Sequence, residues 1–175
     1  MCLRVLVAKF ISNIQIPKKR KLLITQLDEH LALLHKSVIA LDYSYDKCSA
    51  IGEKEEFDLE QQESFEALTS RFARTSDILT QKVFKTLFIL LQENTKTIID
   101  AANLLEKLEV LESADDLLNV RELRNQIAHE YVESDVKALF FDVLRYVPEI
   151  KKIINNVTAY YQKQFSSIKK PDEEI

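Results

Sequence analysis

The stretch "ITQLDEHLALLHKSVIALDYSY" (residues 24–45) places Ile24, Leu27, Leu31, Leu34, Val38, Leu41 and Tyr45 at alternating spacings of three and four. That is the spacing of a heptad seam, in which apolar side chains return to one side of an α-helix. It predicts a long helix that pairs with another helix along its length. Gly52, in "SAIGEKEEFD", ends it, because glycine is the usual residue just past a helix C-terminus.

Outward from this seam the same periodicity continues. A second helix starts in the acidic "DLEQQESFEAL", where carboxylates suit the positive dipole end, and Phe65, Leu68, Phe72, Leu79, Val83, Leu87 and Leu90 extend it through "QKVFKTLFILL". "TIIDAANLLEKLEVL" predicts a shorter third helix with Ile98, Ala102, Leu105 and Leu108 on one side. Ser113 and Asp116 form an S-x-x-D capping box that opens a fourth helix over "LLNVRELRNQIAHEY". A last helix begins near Ser134, and Pro148 is expected to kink it or to mark a join.

The chain has 175 residues, one glycine (Gly52) and three prolines (Pro17, Pro148, Pro171), too few turn formers for sheets joined by tight turns. Hydrophobic residues at 46% with 30% charged residues fit a globular bundle and exclude a disordered chain. The expected fold class is therefore all-α, an antiparallel four- to five-helix bundle. It divides into residues 1–18 as an N-terminal extension or peripheral element, 19–166 as the bundle and 167–175 as a frayed tail. The apolar opening "MCLRVLVAKFISNIQI" is too short to span a bilayer, carries Arg4 and Lys9, and lacks a cleavage pattern. No membrane segment is expected elsewhere. The net charge of −4 excludes a general polyanion binder, so any nucleic-acid contact needs a local basic patch. Cys2 and Cys48 are isolated thiols, which points to a reducing cytoplasm rather than to a disulfide framework or a zinc site.

The segment with the richest chemistry is "RELRNQIAHEY" (residues 121–131). At about 100° per residue, Val120, Leu123 and Ile127 share the arc that should face the core, with Leu117 at its edge. Arg121, Asn125 and His129 form a neighbouring row, and Tyr131 falls about 20° from Arg124, beside the small Ala128. A guanidinium holds phosphate in a fixed fork, an imidazole exchanges protons near neutral pH, an amide orients, and a phenol donates a hydrogen bond or accepts a modification. The same residue types also suit a merely solvated face, and His129 suits a dipole partner in a last turn.

"RNQIAHEY" reads R-x4-H-x-Y with Asn directly after the Arg, late in an all-helical chain, and in this it resembles the HEPN superfamily, specifically the HepT-like toxins paired with a minimal (MNT-type) nucleotidyltransferase antitoxin. The similarity extends over about residues 20–163, including "FEALTSRFARTSDILTQKVFKTL". It implies a HEPN-like bundle that acts as a homodimer and cleaves RNA without a metal or cofactor. On this chain Arg124 would stabilise the scissile phosphate, His129 would act as general base or acid, and Asn125 would position substrate or imidazole. Tyr131 would be the residue that the partner nucleotidyltransferase modifies with AMP, in a hetero-oligomer that neutralises the toxin. The rival expectation is a non-catalytic helical module that binds the nucleotidyltransferase, and a third is a structural dimer with a vestigial motif; fold alone does not choose among them.

Four further groups lie outside this motif. Arg71, Arg74 and Asp77, at i, i+3 and i+6, suit surface ion pairs on one helix. Alternatively Asp77 meets the motif helix and orients Arg124 or His129, while Arg71, Arg74 and Arg121 extend an RNA-binding patch. His30 and His35 flank the seam and are expected to be solvated, with no partners at metal-ligand spacing. "KKRK" (residues 18–21) reads as a solvated helix start, and Tyr160, Tyr161 and Phe165 as packing groups.

Overall fold

The computed structural model describes residues 18–52, 54, 56–129 and 133–165, so the expectations for residues 1–17 and for the tail lie outside the described residues. Helix α1 spans Lys18–Ile51 and buries Ile24, Leu27, Leu31, Leu34 and Leu41 of the expected seam, with Val38 and Tyr45 partly covered, and Cys48 is buried beyond it. Lys18, assigned to the extension on sequence grounds, is the first residue of α1. Gly52 ends the helix at φ +71°, its amide donating to the Cys48 carbonyl at 3.2 Å. No side chain lies in the way of a Cβ there, so the positive φ alone is what favours glycine.

Helix α2 (Leu59–Ile78) opens on a reciprocal capping box. The Asp58 carboxylate accepts from the Gln61 amide at 2.9 Å, and the Gln61 side chain accepts from the Asp58 amide at 3.3 Å. A single helix was expected from here to Leu90. Instead a π-helical segment, Leu79–Phe84, separates α2 from α3 (Lys85–Leu91). The apolar spacing accounts for it. Leu79, Val83 and Leu87 follow one another at intervals of four, and each such step turns an α-helix about 40° past one full turn. The wider i→i+5 turns hold all three against the core, where each is fully buried. The Ser76 and Thr80 hydroxyls donate to the carbonyls four residues earlier, at 3.0 and 2.8 Å, which competes with the α-helical ladder at this point.

Helix α4 (Ile98–Lys107) starts on a second capping box, between Thr97 and Asp100. Helix α5 (Ala114–His129) starts at the expected S-x-x-D. There the Asp116 carboxylate accepts from the Ser113 amide at 3.0 Å, whereas the Ser113 hydroxyl accepts from the Asp115 amide rather than from Asp116. Helix α6 (Glu133–Phe165) runs unbroken through Pro148, so that residue marks no join. Five helical rods result among the described residues, counting α2, the π segment and α3 as one.

Side-chain pairs fix the directions. His30 meets Thr86, Ser44 meets Arg71 and Lys47 meets Glu60, so α1 runs antiparallel to the second rod. Asp42 pairs with Lys151, and His35 with Thr158, so α1 runs antiparallel to α6 as well. The second rod and α6 are therefore parallel to each other, with α4 and α5 returning the chain between them. Phe65, fully buried, ties α2 to α6 by stacking on Phe140 at 5.0 Å, with Phe57 at 4.8 Å on its other side. Burying one such ring stabilises the fold by roughly 1.5–3 kcal/mol. Among the described residues no helix is long and apolar enough to cross a membrane.

Candidate functional site

On α5 the core side is Leu117 and Val120, both fully buried, and Leu123, with Ile127 half-buried beyond them. Val120, Leu123 and Ile127 thus share the inward arc, with Leu117 at its edge about 60° from Val120; Ile127 is the least covered of the four. The other faces carry Arg121, Ala128 and His129, all exposed, and Arg124 and Asn125, both half-buried.

Arg124 is held from the side. Its Nε donates to Asp77 Oδ1 at 2.8 Å and its Nη2 to Asp77 Oδ2 at 2.9 Å. Asp77 stands at the end of α2, one residue before the helix reaches Ile78 and the π segment begins. The planar fork matched to both carboxylate oxygens is the strong form of this pair. The Asp77 hydrogen bonds, and then its charge, push the Arg124 pKa up, so the guanidinium stays cationic. Of the five guanidinium N–H donors, two are taken by Asp77, and the remaining three have no partner among the described residues.

The ion pairs expected along α2 among Arg71, Arg74 and Asp77 do not form, because two of these side chains reach other helices. Asp77 crosses to α5, and Arg71 crosses to α1, where it donates to the Ser44 hydroxyl and to the Ala40 carbonyl (3.3 Å) and lies over the Tyr43 ring at 5.7 Å. Arg74 is exposed.

Between α5, the second rod and the start of α4 lies a cleft of about 650 Å³ that Asp77, Arg124, Asn125, Arg121, Lys85 and Lys96 line. Among the described residues Asp77 is the one carboxylate of the lining, against four cations, of which Arg124 is its partner. In a chain of net charge −4 this is a local reversal of sign. A second depression of about 700 Å³, bordered by Arg71, Arg74 and Lys82, meets the first at Asp77 and Gln81. His129 lines neither of them. It is five residues along a regular helix from Arg124, which separates the two by about 140° and about 7.5 Å. Among the described residues His129 makes no hydrogen bond or ion pair. Tyr131 lies outside the described residues.

Lys85 and Lys96 carry no signal of the site in the sequence. They come from α3 and from the connection before α4, and no local spacing links them to residues 121–131. Of the two seam histidines, His35 is exposed as expected, 3.4 Å from the Thr158 hydroxyl, whereas His30 is half-buried and shares a hydrogen bond with Thr86 at 3.0 Å. Lys18 to Lys21 form the exposed first turn of α1. Tyr161 and Phe165 are buried and in ring contact at 5.7 Å, with Tyr160 against Phe165 at 6.5 Å, so these are packing groups. Among the described residues no three His, Cys, Asp or Glu side chains are grouped to hold a metal ion.

Comparison of the chain with family models, with curated proteins and with solved structures finds no match.

Proposed function

We propose that this protein is a HEPN-type endoribonuclease, the toxin of a toxin–antitoxin pair, with Arg124, His129 and Asn125 as its catalytic residues. The observation that carries the proposal is the side-on clamp of Arg124 by Asp77. It orients a permanent cation beside Asn125, at the edge of a cationic cleft, with three donors free for a phosphate. Together with the R-x4-H-x-Y spacing of residues 124–131, this supports phosphodiester chemistry over a solvated face.

In the proposed reaction His129 takes the proton of a ribose 2′-OH, the 2′ oxygen forms a bond to the adjacent phosphorus, and the P–O5′ bond breaks. The leaving 5′ oxygen takes up a proton, and the products are a 2′,3′-cyclic phosphate end and a 5′-OH end. Arg124 neutralises the charge that builds on the non-bridging oxygens, which is where a preorganised cation contributes most. Because Arg124 and His129 diverge around α5, a twofold homodimer is proposed to bring the arginine of one chain toward the histidine of the other, as an isologous contact permits. An MNT-type nucleotidyltransferase is proposed to silence the enzyme by placing AMP on Tyr131, adding negative charge and bulk beside the motif.

A second reading, a non-catalytic helical module that binds the nucleotidyltransferase, is favoured by one observation: His129 stands outside the cleft that holds Arg124. Induced expression separates the two. Wild type should arrest growth and deplete intact cellular RNA, and both Arg124→Ala and His129→Ala should abolish the arrest. Equal behaviour of wild type and both variants would favour the binding module.

A further inference from the structure

We propose that the cleft between α5, the second rod and the start of α4 binds a single nucleoside phosphate, its base on an apolar floor and its phosphate on the cationic rim. The site deepens the cleavage reading by naming what the space beside Arg124 takes, and it rests on that reading only for RNA as one source of the nucleotide.

Three observations carry the assignment. First, the volume of about 650 Å³ lies in the range of small-molecule sites, roughly 300–1,000 Å³. Second, the floor and the rim differ in chemistry. Half-buried Ile98, with the small exposed parts of Phe88 and Ala101, supplies the apolar side of the lining, whereas Lys85, Lys96 and Arg121 supply the charge and Arg124 its unused N–H donors. A flat apolar ring with a phosphate attached needs both at once, and an inorganic anion needs only the second. Third, the charge is available. Lys85, Lys96 and Arg121 are exposed and make no ion pair among the described residues. Asp77 and Arg124 neutralise each other through their two bonds, so Lys85, Lys96 and Arg121 carry the net charge of the lining.

Thr97 belongs to the same wall; its oxygen accepts from the Asp100 amide at 3.1 Å, and its hydroxyl is bonded to the Asp100 carboxylate, which holds that carboxyl below its usual range. Lys96 precedes it, so a cation and a hydroxyl sit side by side at the start of α4, facing Arg121 and Arg124 across the cleft.

The test uses the full chain and calorimetric titration with AMP, adenosine, inorganic phosphate and a single-stranded tetraribonucleotide. The ligands are run against wild type, the Lys85→Glu/Lys96→Glu double variant, and Lys54→Glu, a control in the α1–α2 connection. His129→Ala, which leaves the cleft intact, is titrated in parallel and assayed for RNA cleavage. Saturable AMP binding that weakens at least tenfold in the double variant, and less than twofold in Lys54→Glu, supports the site with a free nucleotide as occupant. Binding of the tetranucleotide alone, with the same sensitivity, supports the site with RNA as the source. Phosphate binding as tightly as AMP, no saturable binding by any ligand, or equal binding by all the proteins overturns it. Loss of cleavage in His129→Ala with AMP binding retained separates the two claims: the cleft can fail while cleavage stands, and the reverse.

Discussion

Removing the Asp77 carboxylate tests how Arg124 is positioned. The two oxygens meet Nε and Nη2 at 2.8 and 2.9 Å, and the side chains remain 43% and 36% exposed. With that much water around them, the ion pair contributes far less to stability than its geometry suggests; exposed pairs measure about 0.2–1 kcal/mol, and the bidentate form belongs near the top of that range. Asp77→Ala should therefore cost about 1 kcal/mol at most, roughly 2–4 °C in Tm for a domain of this size. Its effect on cleavage should be larger in proportion, because a displacement of about 1 Å in a positioning group costs on the order of 100-fold. The assay is a double-mutant cycle of Asp77→Ala and Arg124→Ala, read by guanidinium denaturation at low and high salt, with RNA cleavage followed in parallel. The Arg124 Nε–H resonance in NMR reports the orientation directly and should shift in Asp77→Ala. Stability coupling should shrink at 1 M salt, where screening acts within about 3 Å. Coupling below about 0.2 kcal/mol at low salt, or an Asp77→Ala enzyme that cleaves at the wild-type rate, would refute the positioning role.

Three predictions concern the scaffold. Phe65→Ala empties the stack between α2 and α6 and should cost about 3–5 kcal/mol in urea denaturation; a loss under about 1 kcal/mol would contradict the packing at Phe140 and Phe57. Burial pushes the Cys48 thiol up from 9.0 to about 11. Below pH 9 the thiol is neutral whether folded or not; as pH rises from about 9 to about 11 the unfolded chain ionises first, so stability falls by about 1.4 kcal/mol per pH unit. The wild-type minus Cys48→Ala difference in stability should show that slope, and a flat difference across this window would contradict it. Glu109, at φ 59°, closes α4 in the left-handed region, so Glu109→Gly should raise stability by about 1 kcal/mol, measured as a higher denaturation midpoint; a lower midpoint would contradict the strain assigned to it.

What was legible in the sequence followed short-range rules. The seam of α1 showed in its three–four spacing, Gly52 marked a stop and Ser113 with Asp116 marked a start, since periodicity and capping are local. The ends of α3 and α4 were not marked, because Gln92 and Glu109 take the left-handed cap positions that glycine usually signals. The π segment was missed because the spacing of Leu79, Val83 and Leu87 is close enough to helical to pass as α. At the site, the faces of α5 could be drawn from residues 117–129 alone, and Asp77 could be named as an alternative partner of Arg124. That it crosses to α5, while Arg71 crosses to α1, depends on where α2 lies in the bundle. Lys85 and Lys96 reach the cleft only through the chain's return between the two long rods, and nothing in their own neighbourhoods points there.

The central claim is that residues 124–129 cut RNA through the ribose 2′-OH. The most direct measurement incubates the purified protein, in the presence of EDTA, with an RNA it cleaves and with the same RNA carrying a 2′-deoxy sugar at the cut position. Cleavage of the first to a 2′,3′-cyclic phosphate end, none of the second, and loss of cleavage of the first with Arg124→Ala or His129→Ala is the predicted result. Cleavage of the deoxy substrate, or intact RNA throughout with a folded wild-type protein, would contradict it.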